Sequence, residues 1–104
     1  MSAWIKGDSG YVNKGSSWNC PMGRGVGLET QYGFCFISNN LMRFTTNGLS
    51  STQATTSLSD LEWHHYVGVR NGTTISLYVD GVLEHTQVGI LANLTNTTDF
   101  FIGS

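Results

Sequence analysis

Apolar and polar residues alternate along most of this chain in short bursts. Gly, Asn, Asp or Ser interrupts them about every eight to twelve positions, the spacing of a sandwich or barrel of short strands. The clearest hairpin spans residues 33–46. Phe34, Cys35, Phe36 and Ile37 precede Asn39-Asn40, and Leu41, Met42, Arg43 and Phe44 follow. Asn tolerates positive φ, so Asn39-Asn40 suits a two-residue type I′ turn. That register sets Ile37 opposite Met42, Phe36 opposite Arg43 and Cys35 opposite Phe44. It predicts a core face of Cys35, Ile37, Met42 and Phe44. On the other face Phe36 and Arg43 would stack as a cation–π pair.

A second hairpin is expected from residues 62–70 through Asn71-Gly72 to residues 74–78. Period two sets Trp63, His65, Val67 and Val69 on one apolar face, continued by Ile75 and Leu77, with Tyr66 on the opposite side. That apolar face is the expected core face. A third turn falls at Asp80-Gly81. A two-residue turn sets Leu83 opposite Tyr78. A three-residue loop of Val79, Asp80 and Gly81 sets Leu83 opposite Leu77, and the apolar pattern favours this second register. Residues 50–60 read as a Ser/Thr-rich loop and residues 15–25 as a Gly-rich loop. Phe100-Phe101-Ile102 reads as a last short strand.

Composition supports this picture. The 104 residues suffice for one domain, residues 1–104. Gly, Ser, Thr and Asn abound and alanine is scarce, which disfavours long helices. Charged residues are 12% of the chain and the net charge is −2, which excludes a nucleic-acid binder driven by phosphate contacts. No apolar run approaches the roughly 20 residues of a membrane-spanning helix. The start, Met1-Ser2-Ala3-Trp4-Ile5-Lys6, has neither the basic nor the apolar region of a signal peptide. Cys20 and Cys35, the 2 cysteines, cannot build a Cys-only zinc site. They either pair in a disulfide or remain as one buried and one loop thiol.

The stretch Glu62-Trp63-His64-His65-Tyr66-Val67-Gly68-Val69, followed by Leu77-Tyr78-Val79-Asp80-Gly81-Val82-Leu83, resembles the laminin-G-like or concanavalin A-like jelly-roll superfamily. Weaker matches keep the family's order: Ala3-Trp4-Ile5-Lys6, Tyr11-Val12-Asn13-Lys14-Gly15, Leu41-Met42-Arg43-Phe44 and Phe101-Ile102-Gly103-Ser104. The resemblance implies an all-β, antiparallel β-sandwich of jelly-roll type with about seven to nine short strands. It also implies an extracellular or secreted setting. The family's closing strand, of the G-x-I-D-E-V-R-I-Y kind, has no counterpart here, nor does most of the opening strand. An edge or apolar face left uncovered in this way is expected either to be covered by a second copy in a homodimer or to belong to a chain that is a fragment of something longer.

Candidate chemistry is sparse. Glycosidases of the superfamily carry alternating acids on one strand face. Only Asp60 and Glu62 stand at that spacing and no third acid follows, so no enzyme is expected. His64 and His65 are adjacent and point to opposite strand faces, with His65 expected in the core. Calcium is the one cofactor the resemblance implies, with Asp8 and Asp99 as loop ligands. Sugars are read by aromatic rings and hydrogen-bonding side chains, and Trp18, Tyr32, Arg43 and Tyr66 are the candidates. The leading expectation is a non-catalytic, lectin-like glycan-recognition module. A protein-interaction or assembly module, with Phe34 and Phe36 at the interface, is the alternative.

Overall fold

The computed structural model describes residues 1–8, 19–24, 32–36, 40–46, 50–88 and 100–102. Among these lie nine strands: β1 (Ser2–Lys6), β2 (Asn19–Arg24), β3 (Tyr32–Phe36), β4 (Leu41–Thr46), β5 (Ser50–Ser57), β6 (Trp63–Asn71), β7 (Thr74–Val79), β8 (Val82–Val88) and β9 (Phe100–Ile102). A 3-10 turn, Leu58–Asp60, joins β5 to β6. Every strand pairing is antiparallel. One sheet has four strands in the order β1-β6-β7-β8, and the other has five in the order β5-β4-β3-β2-β9. β5 packs over β7 and β8, and β4 over β7. The result is the expected antiparallel sandwich.

The core lies between the sheets. Phe34, Phe36, Met42, Phe44, Ala54 and Leu58 come from the five-stranded side and its 3-10 turn; Tyr66, Ile75, Leu77 and Val79 come from the other sheet. Phe44, Ile75 and Leu77 are thus buried as expected. The register of the β3–β4 hairpin differs from expectation by one residue. Phe36 pairs with Met42, Cys35 with Arg43 and Phe34 with Phe44. Asn40 is in the left-handed region at φ 55, which a two-residue turn at Asn39-Asn40 also uses, but the strand partners show a longer connection. This register turns four large apolar side chains inward, where the expected one turned three and a thiol. Phe34 and Phe36 are therefore buried core residues, not a free surface. The expected stack of Phe36 on Arg43 does not form, because the two lie on opposite faces. Arg43 Nη2 instead donates to Gln53 Oε1 at 2.7 Å on the outer face. Ile37 lies outside the described residues.

The larger correction concerns β6. Its inward residues are Tyr66 and Gly68, and Trp63 and Val69 are exposed. His65 and Val67 share that outward parity and are half-buried. Gly68 explains the choice. A Cβ at this position would collide with Cγ and Cδ2 of the Phe44 ring in the facing sheet. The glycine lets the two sheets close over Phe44, and period two then sends Trp63, His65, Val67 and Val69 outward. Ile75 and Leu77 are inward on β7, but they sit beside Arg70 and Gly68 rather than beside Val67 and Val69.

Two turns also settle differently. Asn71 pairs with Thr74, so Gly72, at φ 60, and Thr73 form the β6–β7 turn. At the next turn Asp80 (φ 52) and Gly81 (φ 83) are both left-handed, as a two-residue type I′ turn requires. Leu83 consequently faces Tyr78, not Leu77. The offset that the apolar pattern suggested is absorbed one step later, by a bulge that brings Leu77 opposite His85.

The Ser/Thr-rich stretch expected to be a loop is mostly β5. Its β-branched threonines suit an extended chain, and Thr52 and Ala54 are buried. Part of the expected Gly-rich loop is β2, joined to β3 by a Cys20–Cys35 disulfide. Glu84 of β8 ties the sheets together at their far edge. Its carboxylate accepts from Thr55 N at 2.6 Å, Thr56 N at 3.2 Å and Thr56 Oγ1 at 2.6 Å.

Two substitutions test this packing. Gly68→Ala should lower unfolding stability by about 1–3 kcal/mol, because the ring of Phe44 has to move. Tyr66 is fully buried, and its hydroxyl has no hydrogen-bond partner among the described residues. Tyr66→Phe should therefore be neutral or stabilising by up to about 1 kcal/mol, since it removes an unpaired buried polar atom. Urea unfolding curves of both variants check these outcomes.

Candidate functional site: an aromatic groove at the β1 edge

β1 reads Ser2-Ala3-Trp4-Ile5-Lys6. Ala3 and Ile5 pack against the core, which leaves Ser2, Trp4 and Lys6 on the outer face. Trp4 pairs with His65 and Lys6 with Trp63. Cross-strand partners share a face, so the two tryptophans are diagonal neighbours on the outside of the four-stranded sheet. Trp4 is 65% exposed and Trp63 61%. The Trp4 and His65 rings stack with centroids 4.9 Å apart and planes 21° from parallel. This places His65 on the outer surface and not in the core.

Beside this platform the sandwich is open. β1 is the last strand of its sheet and β9 the last of the other. A groove of about 300 Å³ runs along this side, lined by Trp4, Lys6, Pro21, Met22, Trp63 and Ile102. Ile102 belongs to the same row as Met22, its partner across the β2–β9 ladder, and is 74% exposed. The site thus combines two solvent-facing indoles, an apolar floor and one lysine.

The start of β6 is held by a charged clasp. His64 Nδ1 lies 2.7 Å from Asp80 Oδ2, and His64 Nε2 lies 2.7 Å from Asp60 Oδ2. Carboxylates flank both ring nitrogens, an arrangement that favours the doubly protonated imidazolium, in which both nitrogens donate. The bond to Asp80, opposed by desolvation and helped by the bond to Asp60, raises the His64 pKa above its usual value. Asp80 also accepts from His65 N at 2.9 Å, and Asp60 from Glu62 N at 3.0 Å. Those backbone bonds first, and His64 second, lower both carboxyl pKa values. The clasp thereby links the 3-10 turn, the first residues of β6 and the β7–β8 turn, and it fixes the backbone that carries Trp63.

Among the described residues, Tyr32, Arg43 and Tyr66, expected to bind ligand, are not brought together. Tyr32 is half-buried, with its ring 6.2 Å from that of Phe100. Arg43 lies on the outer face of the other sheet, and Tyr66 is in the core. Trp18 and Asp99 lie outside the described residues. Asp8 is exposed at the rim of a small cavity of about 110 Å³ with Pro21, Phe36 and Leu58. Among the described residues no three His, Cys, Asp or Glu side chains converge to hold a metal. Asp60, one of the two spaced acids, is engaged in the clasp.

Trp4 and Trp63 are the residues that sequence reasoning missed. The signal for Trp4 was its shared parity with Ser2 and Lys6, the polar side of β1. Comparison with protein families matches residues 1–104 to the concanavalin A-like lectin/glucanases superfamily. The chain belongs to this superfamily. No curated protein and no solved structure matches it. The superfamily includes both lectins and glucanases, and the fold alone does not choose between them.

The clasp predicts a pH dependence. A raised His64 pKa means a contribution fully present below the unfolded value of about 6.5 and lost as pH rises through the folded one. The lowered Asp60 and Asp80 pKa values mean contributions present above about 3.9 and lost as pH falls through the folded ones. The thermal midpoint should therefore fall between about pH 6 and pH 9 in the native protein, and His64→Gln should flatten that fall. Thermal melts across this range measure it.

Proposed function

We propose that this chain is a non-catalytic glycan-recognition module that binds sugar on the Trp4–Trp63 platform. The observation that carries this reading is the pair of exposed indoles on adjacent strands beside a groove. Two exposed aromatics aligned side by side form a contiguous apolar surface of the kind used for binding. Indole faces suit the C–H faces of sugar rings, and Lys6 and His65 supply polar contacts at the platform. Membership of a superfamily that includes lectins is consistent with it. Asp60, Asp80 and Glu84 are each engaged in hydrogen bonds that hold turns and sheets. The Cys20–Cys35 disulfide favours an oxidising, extracellular setting.

A second reading has its own observation. The outer edge of β1 has no ladder partner among the described residues, and Trp4, Trp63 and Ile102 border it. A homodimer joined along β1 would pair that edge and cover the same groove.

One experiment separates the two. A glycan array is run with calcium and with EDTA, on the native chain and on Trp4→Ala and Trp63→Ala. The lectin reading expects a hit that survives EDTA and falls about tenfold or more in each variant, with circular dichroism unchanged. No hit, or a hit indifferent to both variants, overturns it. A dimer by light scattering that dissociates in the variants supports assembly instead.

A further inference from the structure

A second cavity, of about 320 Å³, lies between the sheets away from the two tryptophans. That volume falls at the lower end of the range for small-molecule sites. The five-stranded sheet lines it with Met22, Tyr32, Phe44 and Phe100, and the four-stranded sheet with Gly68 and Arg70. The remaining wall includes Thr46. Its inward parity follows from Met42 and Phe44, which precede it on β4 at period two and are core residues. Thr46 is fully buried, yet its Oγ1 has no hydrogen-bond partner among the described residues. A buried hydroxyl left unpaired costs free energy that a ligand oxygen would recover. No carboxylate is among the described lining residues, and the charged groups there are both positive: Arg70 and the ammonium of Met1, which donates to Gly68 O at 2.9 Å. The site therefore favours a negative head on an otherwise apolar body.

We propose that this inter-sheet cavity binds a medium-chain monocarboxylate, its chain against Met22, Tyr32, Phe44 and Phe100 and its head at Thr46 and Arg70. Gly68 makes room for it, since any side chain there would enter the space beside Phe44. The cavity shares Met22 with the aromatic groove but neither of its tryptophans, and carboxylate binding at Thr46 and Arg70 does not require glycan binding.

The test titrates octanoate, with octanol as the uncharged control, into protein carrying 13C-methyl methionine. Met1 and Met22 line the cavity, whereas Met42 is buried in the core and does not. Saturable movement of the Met22 methyl signal, with Met42 unmoved, is expected. Thr46→Val keeps the shape of the wall and should weaken octanoate about tenfold. Arg70→Gln should weaken octanoate and leave octanol unaffected. The proposal is overturned by an unmoved Met22 signal or by equal movement of the Met22 and Met42 methyls. Octanol binding as tightly as octanoate, or full affinity in Thr46→Val, also overturns it.

Discussion

The close approach of Gly68 to Phe44 is the constraint from which the rest of this molecule follows. A strand can bury only one of its two faces against a given sheet. On β6 the residue without a side chain meets the Phe44 ring, so the face bearing Tyr66 and Gly68 goes inward. Everything of the opposite parity is then outside, including Trp63 and Val69. The β1 ladder carries the consequence one strand further and leaves Trp4 beside His65. An aromatic outer surface is thus a geometric result of a glycine in the core.

Much of the architecture was legible. Turn residues and period-two alternation gave the hairpins, and family motifs near Trp63 and Leu77 gave the sandwich. What failed was the choice of faces, for a physical reason. On β6 the outward set, Trp63, His65, Val67 and Val69, is more apolar than the inward set of Tyr66, Gly68 and Arg70, so hydrophobic patterning points the wrong way. Patterning measures transfer from water and does not see the space a glycine leaves for a ring in another sheet. The register of the β3–β4 hairpin failed more simply. One residue of difference in the connection exchanges the two faces, which moved Phe34 and Phe36 from surface to core.

Polar groups then secure what packing decides. His64, between Asp60 and Asp80, fixes the start of β6 and the β7–β8 turn, and Glu84 fastens β8 to β5. Neither was legible in the sequence, because each joins residues that only the fold brings together. Asp80 was readable as a turn residue but not as a partner of His64. The clasp lies directly beside Trp63, so the same residues that lock the turn also hold the platform in place.

The most direct test of this account is the solvent access of the two indoles. A Trp18→Phe background leaves only Trp4 and Trp63 of the 3 tryptophans. Acrylamide quenching of its fluorescence should be nearly as efficient in the folded as in the unfolded protein, with emission at a similarly long wavelength. Blue-shifted emission protected from quenching would place these rings in the core and contradict the inward assignment of Tyr66 and Gly68.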